Sequence, residues 1–279
     1  MTLGFWKPQP QPKAWAPQGA LEQALRLGEI RAHYQPQVCA KTGALTGCEA
    51  LARWHHPTRG LLAPADFLPQ MNTFGLTGLL GALMVENALT ALSDWDRAGV
   101  HMPMVAVNFA QADLNRPHLV SQLAWDIDSH SLTPDRLTVE ILETVPSRAK
   151  NSRIATNIAG LARLGCGIDL DDFGTGPASL AALRRFAVGR IKIDRRFVAG
   201  VHRDQRLQNC ISAMVEMAKE LGLQTLAEGV ETPTDLAMLA DLGCDTVQGF
   251  HISPPMAASA MAAWMARRTA PSRPLGRTA

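Results

Sequence analysis

Apolar residues along the chain fall into two alternating rhythms. Short runs rich in Val, Ile, Leu and Thr, bounded by Gly, Pro or Asp, have the length and composition of buried strands. Between them lie longer stretches with apolar residues three and four apart, the helical period. The first rhythm predicts strands over 31–38, 45–53, 104–109, 136–142, 165–172, 190–194, 224–228 and 246–250. The second predicts helices over 20–29, 78–98, 117–130, 148–163, 178–185, 204–221, 233–241 and 256–266, and Gly99 stands where a helix would end. Such alternation implies a mostly parallel sheet with helical crossovers. Eight units in about 250 residues fit a closed (β/α)8 barrel better than an open doubly wound sheet. Only residues 39–44 separate the first two strands, too few for a crossover, so that pair is expected to be antiparallel. The expectation is an α/β, TIM-like (β/α)8 barrel with one antiparallel strand near the N-terminus.

Composition narrows the class. Hydrophobic residues make up 47% of the 279 and charged residues 19%, enough apolar matter for a large core, which excludes wholesale disorder. Lys and Arg number 27 against 25 Asp and Glu, so no basic field arises and direct nucleic-acid binding is not expected. No uncharged apolar window of ~20 residues occurs, so no membrane span is expected. The five cysteines form no C-x-x-C pair. Cys166, Cys210 and Cys244 lie in apolar runs and are expected to be buried and reduced, which favours the cytoplasm. Residues 1–17 read as a flexible N-terminal segment, 18–266 as one catalytic-sized domain, and 267–279 as a flexible basic tail.

In a barrel of this kind, polar residues at the C-terminal ends of strands face the mouth where chemistry occurs. Those ends carry Glu49, Asn108, Glu140, Asp171, Asp172, Lys192, Glu228 and Gln248. Taken singly, Asn108 could cap a helix, the aspartates could open a turn, and Lys192 could be a solvated amine. Taken jointly, so many acids in one mouth are costly unless cations neutralise them. The donors are oxygens, with no His at these ends, a set that suits Mg²⁺ or Mn²⁺ rather than zinc. Adjacent Asp171 and Asp172 suit a shared site for two ions, the usual device for phosphodiester hydrolysis. Lys192 could orient the attacking water or stabilise developing charge. The histidines are scattered, and His55-His56 lacks a partner at ligand spacing, so both read as surface or loop residues.

These residues carry a resemblance. Glu49-Ala50-Leu51 followed by Ala52-Arg53-Trp54 resembles the signature of EAL-domain cyclic di-GMP phosphodiesterases. Tyr34-Gln35-Pro36, Val107-Asn108, Glu140-Ile141-Leu142-Glu143 and Asp171-Asp172-Phe173-Gly174-Thr175-Gly176 resemble further family strings in the same order. Lys192-Ile193-Asp194-Arg195, Ala227-Glu228-Gly229-Val230-Glu231 and Gln248-Gly249-Phe250 complete it.

The resemblance implies a cytoplasmic phosphodiesterase that linearises cyclic di-GMP to pGpG and so lowers a bacterial second messenger. It implies two ions, the first held by Glu49, Asn108, Glu140 and Asp171, the second by Asp171, Asp172 and Glu228. Lys192 would assist the nucleophilic water and Gln248 would position water or substrate. Gln35, Leu51, Arg53 and Glu231 would contact the dinucleotide, Arg53 through a phosphate. Glu143 would anchor the loop after Asp172, a loop near a dimer contact in relatives, so that a homodimer is one expectation.

Three segments depart from the family pattern: Pro177-Ala178-Ser179-Leu180 after the paired aspartates, Gln70-Met71-Asn72-Thr73-Phe74-Gly75, and Phe186-Ala187-Val188-Gly189. None removes a metal ligand. The alternative reading is a catalytically silent regulator that binds cyclic di-GMP or a protein partner; relatives of that kind usually lack several ligands that are present here. A barrel enzyme on a phosphosugar would need a Gly-rich phosphate clamp after the last strands, which Gly249-Phe250-His251-Ile252 does not resemble.

Overall fold

A computed structural model describes residues 16–142, 152–176 and 179–269. Glu143 and Pro177, the anchor and the altered loop position singled out above, lie outside the described residues, as do most of the two terminal segments.

The described residues form nine strands: β1 (Ile30–Cys39), β2 (Leu45–His56), β3 (Gly60–Leu62), β4 (Val105–Phe109), β5 (Leu137–Leu142), β6 (Gly167–Phe173), β7 (Arg190–Ile193), β8 (Gln224–Ala227) and β9 (Thr246–Val247). Eight of them close a ring in the order β1-β2-β4-β5-β6-β7-β8-β9, because β1 pairs with both β2 and β9. Pairing from β2 through β9 by way of β4 is parallel, and β1 alone runs against both neighbours. The reversed first strand follows from the short link at 39–44, where the Gly43 N–H bonds back to the Cys39 carbonyl.

Helices cover the outside. Their ends carry the expected local chemistry: Ser152 accepts from the Ala155 N–H at the start of Arg153–Leu164, which stops at Gly165 with φ 111°. Asp204 and Thr232 cap Gln205–Glu220 and Pro233–Asp241 in the same way. The apolar core lies between this layer and the outward faces of the strands, where Trp54, Val105, Val107, Val139 and Ile168 are buried. The inward faces are polar. Asp169 and Arg190 pair inside the barrel, Nε to Oδ2 at 2.8 Å, and both are buried.

Several expectations need correction. The hairpin strand β3 and the helix Pro64–Thr73 have no counterpart in the sequence reading. Pro64 sits at the helix N1 position, where its missing N–H costs nothing, so the proline punctuates a start rather than a break. The last strand is only two residues long, which leaves Gln248, Gly249 and Phe250 beyond it. The helix expected over 148–163 begins at Arg153 among the described residues, and the final helix extends to Thr269. Cys210 is exposed, unlike Cys166 and Cys244, because Ile211 takes the buried face of its helix. No helix among the described residues is long and apolar enough to cross a membrane.

Candidate active site

Parallel register places the functional side chains at one end of the barrel. Asn108 is paired with Glu140 across β4 and β5, and Glu49 follows Cys48, which is level with Val105 of β4. In a regular strand consecutive side chains point to opposite faces, which would separate Asp171 from Asp172. A register shift in β6 between Leu170 and Phe173 removes that alternation. Asp172 takes a left-handed backbone, φ 56°, and its N–H donates to Asp171 Oδ1 at 2.9 Å. Such a conformation is uncommon outside glycine and clusters at functional sites. As a result, carboxylate oxygens of Asp171, Asp172 and Glu228 lie within 4.8 Å of one another.

Lys192 stands at the centre. Its Nζ is 2.8 Å from Glu140 Oε2, 2.8 Å from Glu228 Oε1, 3.1 Å from Asp171 Oδ1 and 3.7 Å from Glu49 Oε1. It is 1% exposed, which excludes the solvated-amine reading. Burial works against its charge, but Glu140, Glu228, Glu49 and Asp171 outweigh this and hold the ammonium protonated well above the ordinary range. One lysine cannot neutralise five acids. Burial, then the charge of Glu49, push Glu140 well above the usual carboxylate range despite Lys192. Burial likewise raises Glu228 to about 7 and lifts Asp172, to which Asp171 adds repulsion. Glu49 goes the other way: burial would raise it, but Lys192 and a hydrogen bond from Gln248 bring it down.

Amides complete the setting. Asn108 Nδ2 donates to Glu49 Oε1 at 2.7 Å, so it serves this site rather than capping a helix. Gln248 Nε2 donates to Glu49 Oε2 at 2.6 Å and to Gln35 Oε1 at 3.1 Å. Gln37, missed in the sequence reading, is fully buried and donates to Gln248 Oε1 at 2.8 Å. Strand alternation could have found it, since it shares a face of β1 with Gln35.

A cleft of about 410 Å³ opens over these groups, lined among others by Gln35, Leu51, Glu231 and Phe250. Arg53 does not line it; its Nη1 donates to the Ala52 carbonyl at 2.8 Å, further along β2. The structure thus brings together the eight residues read as catalytic or metal-ligating, with Gln35, Leu51 and Glu231 at the rim.

The donor set fits hard divalent cations. Every acid is an oxygen donor, the acids outnumber the cations, and Glu140 Oε1 is buried without a hydrogen-bond partner among the described residues.

The family model described as EAL domain matches residues 18–255. The oxygen sensor protein DosP of Escherichia coli is 34% identical over 251 residues, covering 88% of this chain and 31% of DosP. The bifunctional diguanylate cyclase/cyclic di-GMP phosphodiesterase MucR of Pseudomonas aeruginosa is 35% identical over 246 residues, covering 88% of this chain and 36% of MucR. The chain therefore spans about a third of the length of these relatives. A solved structure of the PaMucR phosphodiesterase in complex with c-di-GMP superposes with a TM-score of 0.81 at 35% identity, covering 87% of this chain and 98% of that one.

Proposed function

The chain belongs to the EAL domain family, and from that premise we propose that it hydrolyses cyclic di-GMP to linear pGpG with the help of two Mg²⁺ or Mn²⁺ ions. The observation that carries this reading is the convergence of Glu49, Glu140, Asp171 and Glu228 on the buried Lys192, with Asp172 turned in beside them. Glu49, Asn108, Glu140 and Asp171 would hold one ion, and Asp171, Asp172 and Glu228 the other. Bound there, the ions would supply an activated water and charge stabilisation for the departing oxygen.

The chain's own residues do the rest. Asn108 and Gln248 each donate to one oxygen of Glu49 and fix its carboxylate plane. Gln37 in turn holds the Gln248 amide, which fixes the direction of its N–H groups. Lys192 keeps a positive charge among the acids and is placed to stabilise negative charge that develops on phosphate. Gln35, Leu51 and Glu231 would contact the dinucleotide at the rim, and Arg53 would move from its backbone contact to a phosphate, which its planar fork suits. Glu143 would anchor the loop that follows Asp172.

Purified protein incubated with cyclic di-GMP and Mg²⁺ or Mn²⁺, with the products resolved by chromatography, tests the proposal. Accumulation of pGpG supports it. Bound but uncleaved nucleotide under both metals would leave the silent regulator standing instead.

A further inference from the structure

In sequence, His55-His56 has no histidine at ligand spacing. The β1–β2 pairing supplies one. His33 lies opposite Leu51 and the His55 N–H bonds to the Glu29 carbonyl, so the two residues share one face of the hairpin four residues out of step, and their side chains extend along the strands to meet. Their Nε2 atoms are 3.2 Å apart, with ring centroids at 5.3 Å and planes inclined by 47°. Two metal–imidazole bonds of about 2.0–2.1 Å, meeting at a near-tetrahedral angle, separate the ligating nitrogens by about 3.2–3.4 Å. The pair therefore already has the bite of a bis-imidazole chelate. Without an ion the same contact is an N–H···N hydrogen bond, one ring donating to the other.

Electrostatics agree. Burial, helped by the neighbouring His55 and Arg53 and opposed by a contact with the Pro255 backbone, holds His33 below the ordinary imidazole value. A neutral ring keeps the lone pair that a metal needs. Access is also present. Both rings line a cavity of about 400 Å³ whose wall includes Asn87, Thr90, Asp94 and Ser259, and His55 is exposed. Water entering that cavity can fill the remaining coordination positions.

We propose that His33 and His55 form a second metal site, distinct from the acidic centre, that takes a borderline divalent ion of the Cu²⁺, Ni²⁺ or Zn²⁺ class. The two centres differ in donor chemistry: imidazole nitrogens select such ions, whereas the carboxylates and amide at the mouth select Mg²⁺ or Mn²⁺. The proposal stands whether or not the chain hydrolyses cyclic di-GMP.

The test is a Cu²⁺ titration of the full chain in excess Mg²⁺, which occupies the hard-oxygen centre, read by electron paramagnetic resonance. One tightly bound equivalent with superhyperfine splitting from two nitrogens is expected. His33→Gln and His55→Gln should each weaken that binding by at least about tenfold and leave no more than one nitrogen. The six other histidines are untouched by these changes and serve as the background. Far-UV circular dichroism checks that His33→Gln folds; His55→Gln, at an exposed position, decides the matter if it does not. A two-nitrogen signal that survives in His55→Gln, or is missing from the wild type, overturns the proposal.

Discussion

Glu228 offers a direct measure of how far the acidic mouth is electrostatically frustrated without added cations. Burial is the main influence that raises its carboxyl from the ordinary 4.5 to about 7, with Lys192 opposing and Asp171 and Glu49 assisting. A carboxyl that binds protons more tightly folded than unfolded costs stability as pH rises from about 4.5, and the full cost is reached above about pH 7. At ~1.4 kcal/mol per pH unit that cost is about 3 kcal/mol. The side chain is 20% exposed, so solvent screening removes only a minor part of it. Glu228→Gln keeps an oxygen to accept from Lys192 Nζ, now 2.8 Å from Glu228 Oε1, but removes the charge. In EDTA at pH 8 the variant should therefore gain up to about 3 kcal/mol, or about 6–12 °C in melting temperature for a chain of this size. At pH 5 the wild-type carboxyl is mostly protonated and the gain should vanish. Saturating Mg²⁺ should bring the wild type level with or above the variant at pH 8, because the ion neutralises the same acids. Calorimetric melts at both pH values, with and without Mg²⁺, provide the readout. A variant that is less stable than wild type in EDTA at pH 8, or equally stabilised at both pH values, would refute the reasoning.

Further outcomes follow from the same geometry. Hydrolysis should require Mg²⁺ or Mn²⁺, stop with EDTA and be inhibited by Ca²⁺, whose larger and looser coordination suits the site poorly; full turnover in a metal-free sample contradicts this. Glu49→Ala should reduce turnover by orders of magnitude with the fold intact, whereas Arg53→Ala should act mainly on KM, a contrast visible in steady-state kinetics. Gly249→Ala should cost about 3 kcal/mol or more in urea unfolding, because a Cβ there would stand 2.2 Å from the backbone N and O of Val230. Gly19→Ala, in a helix with open space around it, should be neutral or slightly stabilising in the same assay.

Much of this protein is legible in its sequence because the signals are local. Val105, Ala106 and Val107 read as a strand because both faces of a parallel sheet are covered, which makes the run continuously apolar. The five residues between β1 and β2 are too few for a crossover, so the single reversed strand follows from chain length alone. Glu140, Asp171 and Glu228 betray themselves by position, as acids near or just past strand ends in a chain that otherwise fills strands with Val, Ile and Leu, whereas Glu49 lies inside the long strand β2 and reaches the mouth through its pairing with β4. What stayed hidden depends on register and ring closure. The bulge and positive φ that turn Asp172 in beside Asp171 have no residue signature, since Asp is common in turns of many kinds. Cys210 looks like its buried counterparts until the phase of its helix is known. Gln37, Gln248 and Glu49 are joined across more than 190 residues only because β1 and β9 meet when the barrel closes. His33 reaches His55 through cross-strand pairing, and Lys192 collects four carboxylates from four other strands or their ends. Local composition fixes which elements form and which residues end them. Closure of the ring decides which polar groups share one low-dielectric volume, and it is that shared volume which sets their charges and their chemistry.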